Sequence, residues 1–260
     1  MAKGSRGGRR GGGGAGGGSL GSFNTGASNV PTNVSVLTDS EADQLRQLQD
    51  SMYDANTTAA VKMYISAADF DGQGHSMSQT MNYLLDNGVD LNTADINQLN
   101  KQFGLRLTPN DLASMQYANG MMSLAYHPIG KSIELQRGAH DDVLRDVFGI
   151  SDYSTMTEGQ LKKALVDQNW RNRSPMSTSY DINKNPFLGQ GSGVSGGREV
   201  VYKIKAGANT GMLFGAKKQS EMILAPNTQW RITDVKYTGK TATPRGGRAK
   251  PQILIEMETF

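Results

Sequence analysis

The sequence predicts an α+β domain, with helices gathered in the first half and short strands in the second. Three observations carry that reading. Apolar residues recur at helical spacing from Thr38 to about Leu124. From Ile133 onward they alternate with polar residues over short runs. Stretches rich in glycine, proline and asparagine, at 183–197, 206–211, 225–228 and 238–251, then separate those runs.

Taken in order, Thr38-Asp-Ser-Glu41 has the pattern of a capping box, and Leu45, Leu48 and Met52 follow on one helical face. Ser76 to Asp86 predicts a second helix, stopped by Asn87-Gly88. Thr93 to Phe103 predicts a third, closed by Gly104. Thr108-Pro109-Asn-Asp111 sets a cap and a first-turn proline ahead of a fourth. Two shorter helices are expected around Asp142–Phe148 and Thr157–Asp167. The strands begin with Ile133-Glu-Leu-Gln, which ends at Arg137-Gly138. Pro175–Tyr180, Glu199–Ile204, Ser220–Leu224, Gln229–Tyr237 and Gln252–Glu258 follow.

A different kind of segment precedes the first cap. Gly-Ser-Arg-Gly-Gly-Arg-Arg-Gly-Gly-Gly-Gly, from Gly4, has nothing to bury, and ordering its glycines is entropically costly. Residues 1–35 are therefore expected to be a disordered Gly/Arg-rich tail and residues 36–260 one folded domain. Lys3, Arg6, Arg9 and Arg10 all precede the first acidic residue, Asp39; taking their four charges from the net +3 leaves −1 for the remainder. The tail suits either contact with nucleic acid or the plain solubility of a linker. A C-terminal basic cluster, Lys236, Lys240, Arg245, Arg248 and Lys250, suits the same two uses.

Composition also excludes. Without cysteine there is no disulfide, no thiolate zinc site and no thiol nucleophile, which fits a reducing compartment. No apolar run approaches the roughly 18–20 residues of a membrane span, and no apolar stretch follows the first basic residues as in a secretory signal. The expected location is thus intracellular, without membrane contact. His75, His127 and His140 lie on separate segments without metal-ligand spacing. Asp69-Phe-Asp71-Gly72-Gln is a fragment of a calcium loop whose terminal glutamate is missing. Gly189-Gln-Gly191-Ser-Gly193 follows no strand and opens no helix, and reads as a loop.

Three strand segments carry residues with chemistry. Arg137 presents a planar fork suited to phosphate or carboxylate, and Gly138 lets backbone approach a ligand. Ser177-Thr178-Ser179 offers three small hydroxyls that can bond a sugar or orient a carboxylate. In Gln219-Ser220-Glu221, strand alternation would place the amide and the carboxylate on one face. Each alone is a common surface feature. Their order and spacing are more specific: Arg137 to Ser177 is 40 residues and Ser177 to Glu221 is 44.

This set resembles the R-S-E class of mono-ADP-ribosyltransferases, the clostridial-exoenzyme-like toxins. Leu135-Gln-Arg-Gly138 is similar to the family's Leu-Tyr-Arg-Gly strand. Pro175-Met-Ser-Thr-Ser-Tyr180 is similar to its aromatic-x-Ser-Thr-Ser strand, and Gln219-Ser-Glu-Met-Ile-Leu-Ala-Pro226 to its catalytic strand. Upstream, Val61-Lys-Met-Tyr64-Ile-Ser66 resembles the tyrosine-bearing helix that opens such domains, and Met81-Asn82 the Ile-Asn pair of the neighbouring helix. Gln136, Pro175 and Ser78 stand where the family commonly has aromatic residues.

The resemblance implies N-terminal helices on a two-sheet, β-sandwich-like core that binds NAD as substrate, with no metal. It implies Glu221 as the catalytic carboxylate, Ser177 orienting it, and Arg137 on the NAD phosphates. Gly138, Ser177, Thr178 and Ser179 would line the dinucleotide site, Phe187 would stack on nicotinamide, and Gln219 would meet the acceptor. An amide there goes with asparagine or guanine acceptors rather than arginine. The macromolecular acceptor would be protein or nucleic acid. Two other readings stay open: an NAD glycohydrolase, and a structural or nucleic-acid-binding phage or virion protein with a degenerate transferase fold. The glycine-rich tail and the Met, Gln and Asn content point towards phage or mobile-element origin, with the protein virion-associated or delivered into a host cell.

Overall fold

The computed structural model describes residues 31, 33–181, 183, 199–242 and 250–260. Most of its helices start where the capping chemistry requires. Helix α1 (Asp39–Met52) opens on Thr38, whose hydroxyl accepts from Glu41 N while the Glu41 carboxylate accepts from Thr38 N. Helix α2 (Ala55–Ile65) is capped by the Asp54 carboxylate on Thr57 N. Periodicity does not announce this helix, because Ala55–Ala60 has no apolar stripe, and only Val61–Ser66 is matched, through the family resemblance. Ser76 and Gln79 form the capping box of α3 (Met77–Asp86). Helix α4 (Ile96–Phe103) starts later than Thr93, since Asp95 supplies the cap by accepting from Gln98 N. Helix α5 spans Pro109–Ala125, with Pro109 in its first turn.

The second half carries β1 (His127–Pro128), β2 (Ile133–His140), α6 (Val143–Asp146), α7 (Glu158–Leu165), β3 (Asn169–Arg171) and β4 (Met176–Ser179). Strands β5 (Glu199–Ala206), β6 (Gly211–Phe214), β7 (Glu221–Leu224), β8 (Gln229–Ala242) and β9 (Lys250–Thr259) complete it. Two of these, β1 and β3, are too short for a period of two to declare itself, and β6 does not alternate because all four of its residues are buried. Moreover, β6 begins inside a stretch expected to be only a separator.

The strands hydrogen-bond in the order β1-β6-β7-β4-β2-β5-β9-β8-β3. The ladder narrows at one place, where β4 and β2 share a single register pair, Gln136↔Ser179. Two halves result, β1-β6-β7-β4 and β2-β5-β9-β8-β3. Both feed one core: Met212, Phe214, Met222 and Leu224 from the first half pack with Leu135, Tyr202, Ile204, Ile232 and Ile255 from the second. The halves therefore face each other, which gives the sandwich-like arrangement expected.

On β6 and β7 the pleat sends alternate residues to two cores. Leu213 and Ile223 point the other way, into a second cluster with Tyr64, Met81, Leu84, Met115 and Met122 of α2, α3 and α5. With both faces covered, these two strands read as continuous apolar runs rather than alternating ones. No helix among the described residues is long and apolar enough to cross a membrane.

One buried amide ties the segment between β3 and β4 to the end of β7 and to β8. Asn172 donates to Ser174 O at 2.7 Å and Ala225 O at 2.9 Å, and accepts from the indole N–H of fully buried Trp230 at 3.0 Å. Asn172→Ala leaves a buried donor and two buried carbonyls without that partner. We expect a loss of about 3 kcal/mol, and a melting temperature lower by roughly 6–12 °C for a domain of this size. Differential scanning calorimetry measures it, and an unchanged transition would refute the role.

Candidate active site

The site grows from the narrow junction between β2 and β4. Continuing the ladder past Gln136↔Ser179 would pair Arg137 with Thr178 and Gly138 with Ser177, but neither pair is in the register. The two strands part there, and the β2 edge at Arg137–Gly138 borders the gap. Arg137 reaches back across it, Nη1 donating to Ser177 O at 2.7 Å. On the far side Gly138 pairs with Val201 of β5 and is buried. A planar cation and a side-chain-free backbone thus flank an opening in the sheet.

The Ser-Thr-Ser segment lies between that gap and Glu221. Thr178 Oγ1 donates to Met222 O at 2.7 Å, tying β4 to β7. Ser179 Oγ sits 2.8 Å from Asp181 O and 3.0 Å from Gln219 O, so it ties both segments leaving the strands. Ser177 is the half-exposed member. Its cross-strand neighbour is Ile223, whereas Ser179 stands opposite Glu221. Ser177 is thus the diagonal neighbour of Glu221 across the β4–β7 ladder, a spacing within reach of a long side chain.

Glu221 is held from its other side. The residue is buried, 8% exposed, and Oε2 accepts from Ala216 N at 2.7 Å. Oε1 has no hydrogen bond among the described residues. Gly215 makes room for the side chain: a Cβ built there would lie 2.2 Å from Glu221 Oε2.

Strand alternation does not relate Gln219 to Glu221. Lys217–Gln219 is a 3-10 turn, and Ser220 follows with φ +48° in the left-handed region. The strand starts only at Glu221, so two-residue alternation does not reach back to Gln219. A left-handed backbone is uncommon for a residue with a Cβ. Here it is fixed by Ser220 N donating to Lys217 O and Ser220 O accepting from Tyr180 N. Gln219 itself is half-buried on the turn that leads into the carboxylate.

Helices α2 and α3 reach the site at the start of β4. Tyr64 OH donates to Asn82 Oδ1 at 3.0 Å, and Asn82 Nδ2 donates to Pro175 O at 3.3 Å. The two upstream sequence matches thus meet each other and the start of β4. Burial pushes the Tyr64 hydroxyl well above its usual range; the charge of Glu221 adds to this, while Asn82 and the Arg137 cation oppose it. Burial likewise raises Asp86, against hydrogen bonds from Ser174 and the charges of Arg137 and Arg173. Tyr64 therefore senses both Arg137 and Glu221.

Sequence reasoning passed over what supports the glutamate from behind. Arg46 Nη1 donates to Gly215 O at 2.6 Å across 169 residues of sequence, and only the fold brings such a pair together.

Other candidates fall elsewhere. Phe187 and Gly189–Gly193 lie outside the described residues, as do Arg245, Arg248 and residues 1–30 of the tail. Lys236 is paired with Glu256 at 2.6 Å. The Asp69 and Asp71 carboxylates accept from the backbone of their own loop, Gly72, Gly74, Gln73 and His75. A cavity of about 410 Å³ opens beside Gln136, lined by Thr38, Asp39, Glu134, Tyr180 and Asp181 among others; Arg137, Ser177 and Glu221 are not in its wall.

No family model matches the sequence, and no curated protein does. Solved structures do match. C3stau2 from S. aureus, whose crystal structure contains NAD, superposes with TM-score 0.54 at 15% identity, over 88% of this chain and 99% of that one. Plx2a, an ADP-ribosyltransferase toxin from Paenibacillus larvae, gives 0.52 at 12%, over 85% and 96%. The enzymatic component C2-I of the Clostridium botulinum C2-toxin gives 0.54 at 16%, over 86% of this chain and 47% of its own. The opened ladder, the flanking arginine and the buried glutamate thus sit in a chain that has the fold of the ADP-ribosyltransferase toxins.

Proposed function

We propose that this chain is an NAD-dependent mono-ADP-ribosyltransferase. The observation that supports it most is the meeting of Arg137, the Ser-Thr-Ser strand and Glu221 around one opening in the sheet. NAD fits the chemistry of these groups. An arginine fork suits a pyrophosphate, a bare backbone edge at Gly138 suits a carboxamide, and a buried carboxylate with one oxygen uncommitted suits a ribose hydroxyl.

Breaking the bond between ribose C1′ and the nicotinamide nitrogen releases neutral nicotinamide and leaves cationic character on the ribose. The protein has two tasks: to hold the dinucleotide and to set negative charge beside that carbon. Glu221 serves the second by accepting from the 2′-hydroxyl. Arg137 holds the phosphates, with Ser177 and Gly138 at the nicotinamide end and Phe187 stacking on its ring. An acceptor nitrogen then bonds to C1′ and gives up its proton.

Gln219, on the turn entering Glu221, faces the acceptor in this reading. Its amide can pair with asparagine or with a guanine edge, which favours those acceptors over arginine. The folded domain, 36–260, carries the activity, and the Gly/Arg tail serves as a tether.

Incubation with labelled NAD and a cell lysate tests the reading. Label on nuclease-sensitive material would identify a guanine acceptor, and label on a protein band a side chain. Nicotinamide release without label would identify a glycohydrolase. Neither label nor release, with no NAD binding, would sink the enzymatic reading in favour of a structural protein on the same fold.

A further inference from the structure

We propose that Arg46 is a positioning residue for Glu221 and acts on it through a single peptide group; this rests on the enzymatic reading above. The peptide between Gly215 and Ala216 has its carbonyl oxygen 2.6 Å from Arg46 Nη1 and its N–H 2.7 Å from Glu221 Oε2. A cation thus sits at the negative end of one amide dipole and a carboxylate at its positive end. Hydrogen bonds in such a chain polarise one another, so the bond to Glu221 is stronger with the guanidinium in place.

Helix α1 is built to hold that peptide. Asp43, Arg46 and Gln49 are spaced by three along one face of α1. Asp43 accepts from Lys217 Nζ at 2.9 Å. Gln49 donates to Met212 O at 2.8 Å and accepts from Phe214 N at 2.9 Å. The three side chains run along β6 and the turn that follows it, up to the approach to Glu221. Gly215 completes the fit, since a side chain there would occupy the carboxylate's place.

The charge on Arg46 has no adequate structural account. Its Nε and Nη2 are buried without a hydrogen-bond partner, and its guanidinium lies 4.9 Å over the Phe214 ring. A buried guanidinium with one carbonyl partner is a poor way to fasten a loop, because desolvating it costs more than one hydrogen bond returns. A neutral amide such as Gln49 does that work without the charge. What the charge adds is a field along the Gly215–Ala216 peptide, directed at the oxygen of Glu221.

The test is a double-mutant cycle on single-turnover nicotinamide release, with thermal melts of every variant. Arg46→Gln should lower the rate roughly tenfold to a hundredfold, the scale of one charge-assisted hydrogen bond, with the KM for NAD within about twofold of wild type. Arg46→Lys, which keeps the cation, should recover most of the loss, and it serves if Arg46→Gln does not fold. In a Glu221→Gln background, which has no carboxylate to position, Arg46→Gln should cost less than about twofold. Equal losses in both backgrounds, or a raised KM with unchanged kcat, would overturn the proposal. Wild-type protein that binds no NAD and releases no nicotinamide would remove the enzymatic reading, and this role with it.

Discussion

Glu221→Gln is expected to cut the rate of nicotinamide release by roughly two to four orders of magnitude while NAD still binds. The substitution keeps the shape of the side chain and removes its charge. Oε2 of the native residue accepts from Ala216 N, and a glutamine oxygen accepts the same bond, so the turn should survive. What disappears is the negative charge that would stabilise the ribosyl cation. In the proposed reading Arg137 and the β2 edge hold the dinucleotide, so calorimetric NAD binding should change little. A Glu221→Gln protein that turns over at the wild-type rate would remove Glu221 from the chemistry. Equal loss of binding and rate would instead make the carboxylate a binding group only.

The second large effect concerns a residue with no functional group. A Cβ at Gly215 would lie 2.2 Å from Glu221 Oε2, 2.6 Å from Cδ and 2.8 Å from Cγ. Only movement of Glu221 relieves those contacts. The glutamate side chain can turn about its own single bonds, so the fold should tolerate Gly215→Ala at a cost of about 1–3 kcal/mol. Activity should not tolerate it: a displacement of about 1 Å at a catalytic group costs on the order of a hundredfold. The expected signature is a folded protein with a modestly lowered melting temperature and a greatly reduced kcat. A variant as active as wild type would mean that the glutamate has a second, equally productive position. Measured together, Gly215→Ala and Arg46→Gln probe the same carboxylate from two sides, one by crowding it and the other by weakening its hydrogen bond.

The sequence alone determined the order of helices and longer strands, because these are local matters. Capping boxes at Thr38 and Ser76, a cap and proline at Thr108–Pro109, and a left-handed glycine at Gly104 set helix boundaries from a few neighbouring residues. The Arg137, Ser177 and Glu221 motifs were legible for the same reason, as short strings at a characteristic spacing. Tertiary structure decided the rest. The short strands β1, β3 and β6 exist only because partners pair with them. Strand alternation stops short of Gln219 because a 3-10 turn and a left-handed Ser220 intervene, and no alternation rule anticipates that. Arg46 meets Gly215, and Tyr64 meets Asn82, across spans where residue spacing carries no information about distance. Local sequence fixes which hydrogen bonds a backbone can make with itself within a turn or two. Which strand edges are left unpaired, and which charge stands behind the Glu221 carboxylate, depends on how the two sheet halves and α1 pack together.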